Sequence, residues 1–229
     1  MSIISLNDAD GVFDVTLFEA PSPARVVLFA VGAGGDPGRH LPLLSALAER
    51  GCSVVAPHFA RLVVPMPTDD DLRLRARRLT LALDSVARPD VIAVGVGHSI
   101  GATLLLALAG GEVWMRAGNK VAIPVDVRLR RLALLAPASD FFRAPGALDA
   151  VHVPIAAWAG TSDVITPPPQ AELLRRSLGG RVPVDVRVVE GAGHFSFMNS
   201  PPPQSPEPLT DREAFLRELS RDVCAFVTA

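Results

Sequence analysis

Short apolar runs alternate along this chain with longer segments in which apolar residues recur every three or four positions. Most of the short runs are apolar at consecutive positions and rich in β-branched residues, which is typical of parallel strands covered on both faces. A further segment, 11–20, alternates apolar and polar residues and predicts an antiparallel strand at the sheet edge. The other predicted strands are 25–31, 52–57, 91–96, 132–137, 153–160 and 182–190.

The clearest helix prediction covers 68–86, TDDDLRLRARRLTLALDSV. Thr68 or Asp69 can cap its start, and Asp71 can pair with Arg75 one turn later. The arginines of this segment are therefore expected on the solvated face of the helix. Its apolar stripe, at three- and four-residue spacing, consists of Leu72, Ala76, Leu79, Leu83 and Val86.

This alternation of strands and helices predicts one domain, 1–229, of the α/β class. We expect a doubly wound, mostly parallel sheet with helices on both faces and no large cap domain. Ligands of such folds collect beyond the carboxyl ends of the strands, so function is expected in the loops that follow them.

Composition and charge argue against two classes of binding partner, nucleic acids and membranes. A formal charge of -2 gives no general attraction for phosphate backbones, so nucleic acid is not an expected partner. No segment holds 18 uncharged apolar residues and the first residues lack the features of a signal peptide, so we expect a cytoplasmic protein without a membrane partner. A monomer and a homodimer both remain open.

The stretch VGVGHSIGA, 94–102, places a serine between two glycines where a predicted strand meets the predicted helix ATLLLALAG, 102–110. A sharp strand-to-helix turn would crowd side chains two residues before and after its centre, and Gly97 and Gly101 relieve that crowding. The hydroxyl of Ser99 would then be exposed at a helix N-terminus, where developing negative charge is favoured.

The stretch from Gly97 to Gly101 resembles the G-x-S-x-G nucleophile elbow of the α/β-hydrolases. The resemblance implies that Ser99 is a nucleophile and that an acid and then a histidine follow in the chain. Asp163 follows the predicted strand 153–160 and is the expected acid, with Asp140 as the alternative. His194 follows the predicted strand 182–190 and is the expected base.

The same resemblance implies an oxyanion hole built from two backbone amides. One is the amide of Ile100. The other is expected in the loop VGAGGD, 31–36, with Ala33 as first choice and Gly32 as second. Val31 stands where the family commonly has a histidine. This loop lacks the further glycine of a dinucleotide-binding fingerprint and the lysine of a P-loop, and no metal-ligand spacing is present, so neither a cofactor nor a metal is expected.

Only 139–152 separates two predicted strands at the point where this family often inserts a lid, which is too short for an independent domain. The chain thus resembles capless dienelactone-hydrolase-like proteins and small carboxylesterases, although true dienelactone hydrolases carry a cysteine nucleophile. The segment 110–128 could fold over the cleft rim. The expected apolar wall of the substrate pocket comprises Trp114, Phe195 and Met198.

The remaining histidines His40, His58 and His152 are expected to be exposed or hydrogen-bonded. Taken together, the sequence predicts a serine hydrolase that cleaves small carboxylic esters through an acyl-enzyme. A lactone, thioester or peroxyacid substrate remains open on the same residues, because a shared fold does not fix the substrate. So does a catalytically silent, hydrolase-like binding protein.

Overall fold

The computed structural model describes residues 1–62, 66–86, 88 and 91–229. The strands are β1 (Ser2–Asp8), β2 (Gly11–Phe18), β3 (Arg25–Ala30), β4 (Cys52–Pro57), β5 (Ile92–His98), β6 (Val113–Trp114), β7 (Lys120–Val121), β8 (Leu129–Leu135), β9 (Ile155–Gly160) and β10 (Val184–Val189). The helices are α1 (Leu41–Glu49), α2 (Asp69–Asp84), α3 (Ile100–Leu108), α4 (Pro168–Leu178) and α5 (Arg212–Thr228).

Eight strands form one sheet in the order β1-β2-β4-β3-β5-β8-β9-β10. From β4 to β10 the neighbours run parallel, and their side chains are largely buried in the central strands, as consecutive apolar residues predict. The two strands at the other end are antiparallel. The expected mostly parallel α/β sheet is confirmed.

The antiparallel end differs from the sequence expectation in one respect. β2, predicted as an edge strand, is an inner strand, because β1 pairs along it from Ser2 opposite Leu17 to Asp8 opposite Gly11. β1 is largely exposed, and four of its seven residues, Ser2, Ser5, Asn7 and Asp8, are polar or charged, so it lacked the apolar signal of the other strands.

Helices cover both faces of the sheet. α2, α3 and α4 bury their apolar residues in one hydrophobic cluster, and α1 and α5 bury theirs in a second cluster on the opposite face. This is the doubly wound arrangement that the alternation of elements predicts.

Helix α2 begins as expected and departs from expectation at one arginine. The Thr68 hydroxyl accepts from the Asp71 amide, and the Asp71 carboxylate accepts from the Thr68 amide, which forms a capping box. The prediction that Asp71 pairs with Arg75 on a solvated face is wrong. Arg75 is 2 % exposed, because it lies three residues after Leu72 and four before Leu79, beside the buried stripe.

The connections that were candidates for a lid are small. Residues 139–152 hold one short 3₁₀ turn, Asp140–Phe142, so no cap domain is inserted there. Residues 110–128 contain the short two-stranded β6–β7 hairpin. Within the described ranges, none of the helices combines the length and apolar character needed to cross a bilayer.

Candidate active site

Ser99 is the single residue between β5 and α3. Its backbone has φ 55° and ψ -122°, a positive-φ conformation that costs a non-glycine residue free energy. The surrounding chain holds it there: the Ser99 amide donates to the Leu135 carbonyl at 2.9 Å, and the Ser99 carbonyl accepts from the amides of Ala102 and Ala138. The turn therefore fixes the serine side chain at the carboxyl edge of the sheet.

The two flanking glycines are both sterically required, for different reasons. A Cβ on Gly97 would lie 2.7 Å from the Leu105 side chain and 3.0 Å from the Ala102 nitrogen, so it would press on the following helix. A Cβ on Gly101 would lie 2.0 Å from the Ala30 carbonyl oxygen at the end of β3. The second glycine thus permits close contact between α3 and the neighbouring strand, rather than relieving crowding across the turn itself.

Three side chains from distant loops meet at this point. His194 Nε2 lies 3.0 Å from Ser99 Oγ, and His194 Nδ1 lies 2.8 Å from Asp163 Oδ2. The loops after β5, β9 and β10 supply them, and all three residues are buried. A hydroxyl, an imidazole and a carboxylate in this order form a chain that can take a proton from the serine and stabilise the resulting imidazolium.

The carboxylate of the alternative acid, Asp140, pairs with an arginine of its own turn and not with His194. It accepts from Arg143 Nε at 2.9 Å across one turn, in an exposed ion pair. The structure therefore brings Asp163, and not Asp140, to the imidazole of His194.

Asp163 is held as a carboxylate. Burial alone would raise the pKa of this carboxyl, but hydrogen bonds from His194 and Thr166 lower the pKa below its ordinary value. Asp163 Oδ1 accepts from the amides of Ile165 and Thr166, both at 2.8 Å. Backbone amides of the same loop thus hold the Asp163 carboxylate in the position in which it faces the imidazole.

Thr166 is a neighbour of these side chains that the sequence analysis did not single out. Its hydroxyl lies 2.7 Å from Asp163 Oδ2, 3.0 Å from the Ala136 carbonyl oxygen and 3.0 Å from His194 Nδ1. The available signal was its position three residues after the acid, where a hydroxyl side chain commonly returns to an Asp that caps a turn.

Behind His194 lies a row of buried imidazoles. His98 donates from Nε2 to the His194 carbonyl oxygen at 3.1 Å, and its ring lies 4.9 Å from that of His194. Burial, with smaller contributions from His194 and His40, holds the pKa of His98 well below its ordinary value. The neutral His98 thereby anchors the backbone that carries His194.

His40 corrects an expectation. It was predicted to be exposed or hydrogen-bonded, yet it is 1 % exposed and neither ring nitrogen has a hydrogen-bond partner among the described residues. Its ring packs 4.9 Å from Phe29 and 5.4 Å from His98. His58 meets the expectation through a 2.8 Å hydrogen bond with Thr16, and His152 is exposed.

The expected oxyanion amides lie around the serine. Ile100 is the first residue of α3, where the amide has no acceptor within the helix, and Ala33 lines the same cleft as Ser99. Gly32 lies directly against the serine: a Cβ there would be 3.4 Å from Ser99 Cβ and 3.1 Å from His98 Nδ1. The loop after β3 and the first turn of α3 thus face the cleft together.

A cleft of about 440 Å³ opens beside Ser99. Trp114 of the β6–β7 hairpin lines it, as expected. Phe195 and Met198 do not belong to its lining. The 3₁₀ turn at His194–Phe197 sets the Phe195 ring edge-on against the imidazole at 5.2 Å, and Met198 is buried. The other lining side chains are mostly apolar, among them Leu62, Met66, Phe141 and Ile165.

The cleft rim also carries the charged side chains of Arg116, Asp140 and Arg143. In the part of the chain that the structure describes, no three His, Cys, Asp or Glu side chains are grouped in a way that could hold a metal ion.

Comparison with known proteins identifies the fold but not a sequence family. No family model matches the sequence, and no curated protein matches it. Among solved structures, a protein of unknown function from Agrobacterium tumefaciens, proposed to be an α/β-hydrolase, is similar with a TM-score of 0.71 at 15% identity, covering 98% of this chain and 94% of that one.

Two esterases are similar to a comparable degree. One from Pyrococcus furiosus has a TM-score of 0.69 at 12% identity, covering 98% of this chain and 89% of its own. The thermophilic esterase Est2 from Thermogutta terrifontis has a TM-score of 0.67 at 14% identity, covering 98% and 90%. Esterase 2 of that species has also been solved after phosphorylation by paraoxon. With this sheet order, helices on both faces and these structural relatives, the chain has the α/β-hydrolase fold.

Proposed function

We propose that this protein is a serine hydrolase that cleaves carboxylic esters of small molecules through an acyl-enzyme. The observation that carries the proposal is the continuous chain from Ser99 Oγ through His194 to Asp163, with distances of 3.0 and 2.8 Å. Esterases among the structural relatives support the same chemistry. The proposal assigns a catalytic role to each of these three residues.

In the first half-reaction His194 Nε2 takes the hydroxyl proton while Ser99 Oγ attacks the ester carbonyl carbon. Asp163 keeps the imidazole in the tautomer with the proton on Nδ1 and stabilises the imidazolium. The carbonyl oxygen becomes an oxyanion, which the amides of Ile100 and Ala33 bind. The tetrahedral intermediate then collapses, and His194 gives the proton to the departing alkoxide to release the alcohol.

In the second half-reaction a water molecule replaces the alcohol. His194 takes one proton from the water as its oxygen attacks the acyl carbon, and the same two amides stabilise the second oxyanion. Collapse breaks the bond to Ser99 Oγ, which recovers the proton from His194, and the carboxylic acid leaves. No electron acceptor is consumed, and His194 passes on each proton that it takes, the first to the alcohol and the second to Ser99 Oγ.

The cleft suits an apolar acyl group. Its volume of about 440 Å³ is that of a small-molecule pocket, most of its lining is apolar, and the connection between β8 and β9 inserts no cap over it. The preferred chain length is therefore expected to be set by Trp114, Phe141 and Met66.

Initial rates test the proposal. Native protein and Ser99→Ala are compared on p-nitrophenyl acetate, butyrate and octanoate, on a lactone and on an acyl thioester. We expect ester turnover by the native chain and a loss of several orders of magnitude in Ser99→Ala. Faster turnover of the lactone or thioester would replace the ester in the proposal. A native chain inactive on every compound would favour a silent binding protein.

A further inference from the structure

Arg75 is a buried cation that the reaction scheme above does not use. It projects from α2 toward the loop after β3 and is 2 % exposed. No carboxylate forms an ion pair with it among the described residues. A buried charge without an ionic partner is costly unless its donors are satisfied, so the groups that it contacts must be specifically arranged.

Three backbone carbonyl groups satisfy the guanidinium. Arg75 Nη1 donates to the Gly32 oxygen at 3.0 Å, and Nη2 donates to the Ala33 oxygen at 3.2 Å and the Ala60 oxygen at 2.7 Å. The Phe59 ring lies 4.9 Å from Arg75 Cζ and covers the cation. One side chain thus joins the loop after β3 to the loop after β4.

Backbone hydrogen bonds also join the loop after β3 to the loop after β4. The amide of Leu62 donates to the Ala33 carbonyl at 2.9 Å, and the amide of Phe59 donates to the Gly35 carbonyl at 2.9 Å. Gly35 has φ +79°, and a Cβ there would lie 2.0 Å from the Phe59 oxygen. The two loops are therefore in direct backbone contact, and Arg75 lies where their carbonyl groups converge.

The hydrogen bond from Arg75 Nη1 to the Gly32 carbonyl oxygen affects the cleft. The Gly32 carbonyl and the Ala33 amide belong to the same peptide group. In a trans peptide the C=O and N–H bonds point in opposite directions, so an arginine that holds the oxygen on the α2 side turns the N–H toward the opposite side. Ala33 lines the cleft beside Ser99, so an N–H turned away from α2 is available to that cleft.

The charge of Arg75 acts on the same peptide. A cation that binds a carbonyl oxygen draws electron density from the peptide nitrogen, which makes the N–H a stronger donor; such polarisation along a hydrogen-bonded chain is cooperative. The donor of the oxyanion hole would thus be both oriented and strengthened from behind by a residue that never touches the substrate.

We propose that Arg75 is a positioning residue that aims and polarises the Ala33 amide for stabilisation of the oxyanion. This inference rests on the proposed function, since it assigns Arg75 a part in that reaction. Its effect should fall on the tetrahedral intermediate and not on binding of the ground-state ester.

The test compares Arg75→Lys and Arg75→Met with the native protein. Lysine keeps the charge but cannot spread two nitrogens across these oxygens, and methionine keeps only the volume. The matched control is Arg78→Met, because Arg78 also lies on α2, is largely buried, pairs with Asp8 at 3.0 Å and packs over Phe13, but makes none of the loop contacts.

The readouts are kcat and KM on p-nitrophenyl butyrate and inhibition by an alkyl trifluoromethyl ketone, which adds to an active serine to form an oxyanion. The matching alkyl methyl ketone serves as a ground-state reference. Losing a whole oxyanion donor costs on the order of 10²–10³ in kcat, so a misaimed donor is expected to cost about tenfold or more. We expect that loss in kcat and an equal loss in trifluoromethyl ketone affinity for both Arg75 variants, with KM and methyl ketone affinity changed by less than about threefold.

Arg78→Met should keep the native kcat and trifluoromethyl ketone affinity even where its melting temperature falls. Unchanged trifluoromethyl ketone affinity in the Arg75 variants would overturn the inference, as would equal weakening of both ketones or the same loss in Arg78→Met. A native protein that neither turns over the ester nor distinguishes the ketones would instead overturn the proposed function.

If neither Arg75 variant folds, the native protein still provides the test. The Arg75 guanidinium resonances are followed by ¹⁵N–¹H NMR as the trifluoromethyl ketone is added. A shift of these resonances that the methyl ketone does not produce supports the inference. Resonances unaffected by either ketone overturn it.

Discussion

The Asp163 carboxylate is fixed by backbone amides on one oxygen and faces the imidazole with the other. Replacing it with asparagine removes the charge while keeping the shape. The amide can also donate to Nδ1 and so favour the tautomer that leaves Nε2 protonated, which cannot accept the serine proton. We expect kcat on p-nitrophenyl butyrate to fall by roughly 10⁴ in Asp163→Asn. A fall of less than about tenfold would show that Asp163 does not orient the imidazole.

The Thr166 hydroxyl lies within 3.0 Å of both Asp163 and His194, so it stabilises the pair that it borders. Thr166→Val has nearly the same shape without the hydroxyl. We expect kcat to fall by about tenfold with little change in KM, because losing one hydrogen bond to a charged group costs roughly 1.5–3 kcal/mol. Thr166→Ser should recover most of the rate. A serine variant as slow as the valine variant would assign Thr166 a packing role only.

His40 makes the stability of the fold depend on pH. Burial, opposed by Asp36 and reinforced by Arg39, lowers the pKa of His40 from 6.5 to about 3 in the folded protein. Between these two values the unfolded chain binds the proton and the folded protein does not, so the free energy of unfolding falls as the pH drops from 6.5 toward 3.

His40→Leu removes this contribution. Urea unfolding of the native protein and the variant is measured near pH 7 and near pH 5. We expect the variant to gain stability relative to the native protein at the lower pH, with His98 and the other titrating groups common to both. An equal stability difference at the two pH values would contradict the assignment of His40 as a buried neutral imidazole.

The contact between α3 and the end of β3 is closest at Gly101. Gly101→Ala would bring a methyl group to 2.0 Å from the Ala30 carbonyl oxygen, which forces the helix away from the strand. We expect a loss of about 1–3 kcal/mol in the free energy of unfolding. The control is Gly34→Ala, where a Cβ meets nothing within 4 Å and the change should stay within about 0.5 kcal/mol. Equal stability of the two variants would show that α3 can shift at no cost.

Local pattern was sufficient to predict the elements that are buried on both faces. β4 (Cys52–Pro57) matches its predicted bounds, and α2 differs from its predicted bounds by a few residues at the C-terminal end. β8 begins three residues earlier than predicted. Its first residues include Arg130 and Arg131, which are charged and so were not part of the apolar run that predicted the strand. The mostly exposed β1 was missed for the same reason.

Across the molecule, parallel strands explain why the meeting of Ser99, Asp163 and His194 could be predicted. Each follows a strand, and the carboxyl ends of β5, β9 and β10 lie on one edge of the sheet, so strand order alone brings the loops near one another. What a strand order does not fix is the direction of a side chain inside a loop or beside a helix stripe. Phe195 and Met198 fall outside the lining of this cleft because of the 3₁₀ turn at His194–Phe197, and Arg75 was wrongly expected on the solvated face of α2.

The fold as a whole brings the imidazole of His194 into contact with both the strained Ser99 and the carboxylate of Asp163. Intact-mass analysis after treatment with a fluorophosphonate tests this most directly, with Ser99→Ala and His194→Ala treated in parallel. The account predicts one adduct on the native protein, none on Ser99→Ala and greatly slowed modification of His194→Ala. A native protein that stays unmodified, or a Ser99→Ala variant that still gains the adduct, would contradict it.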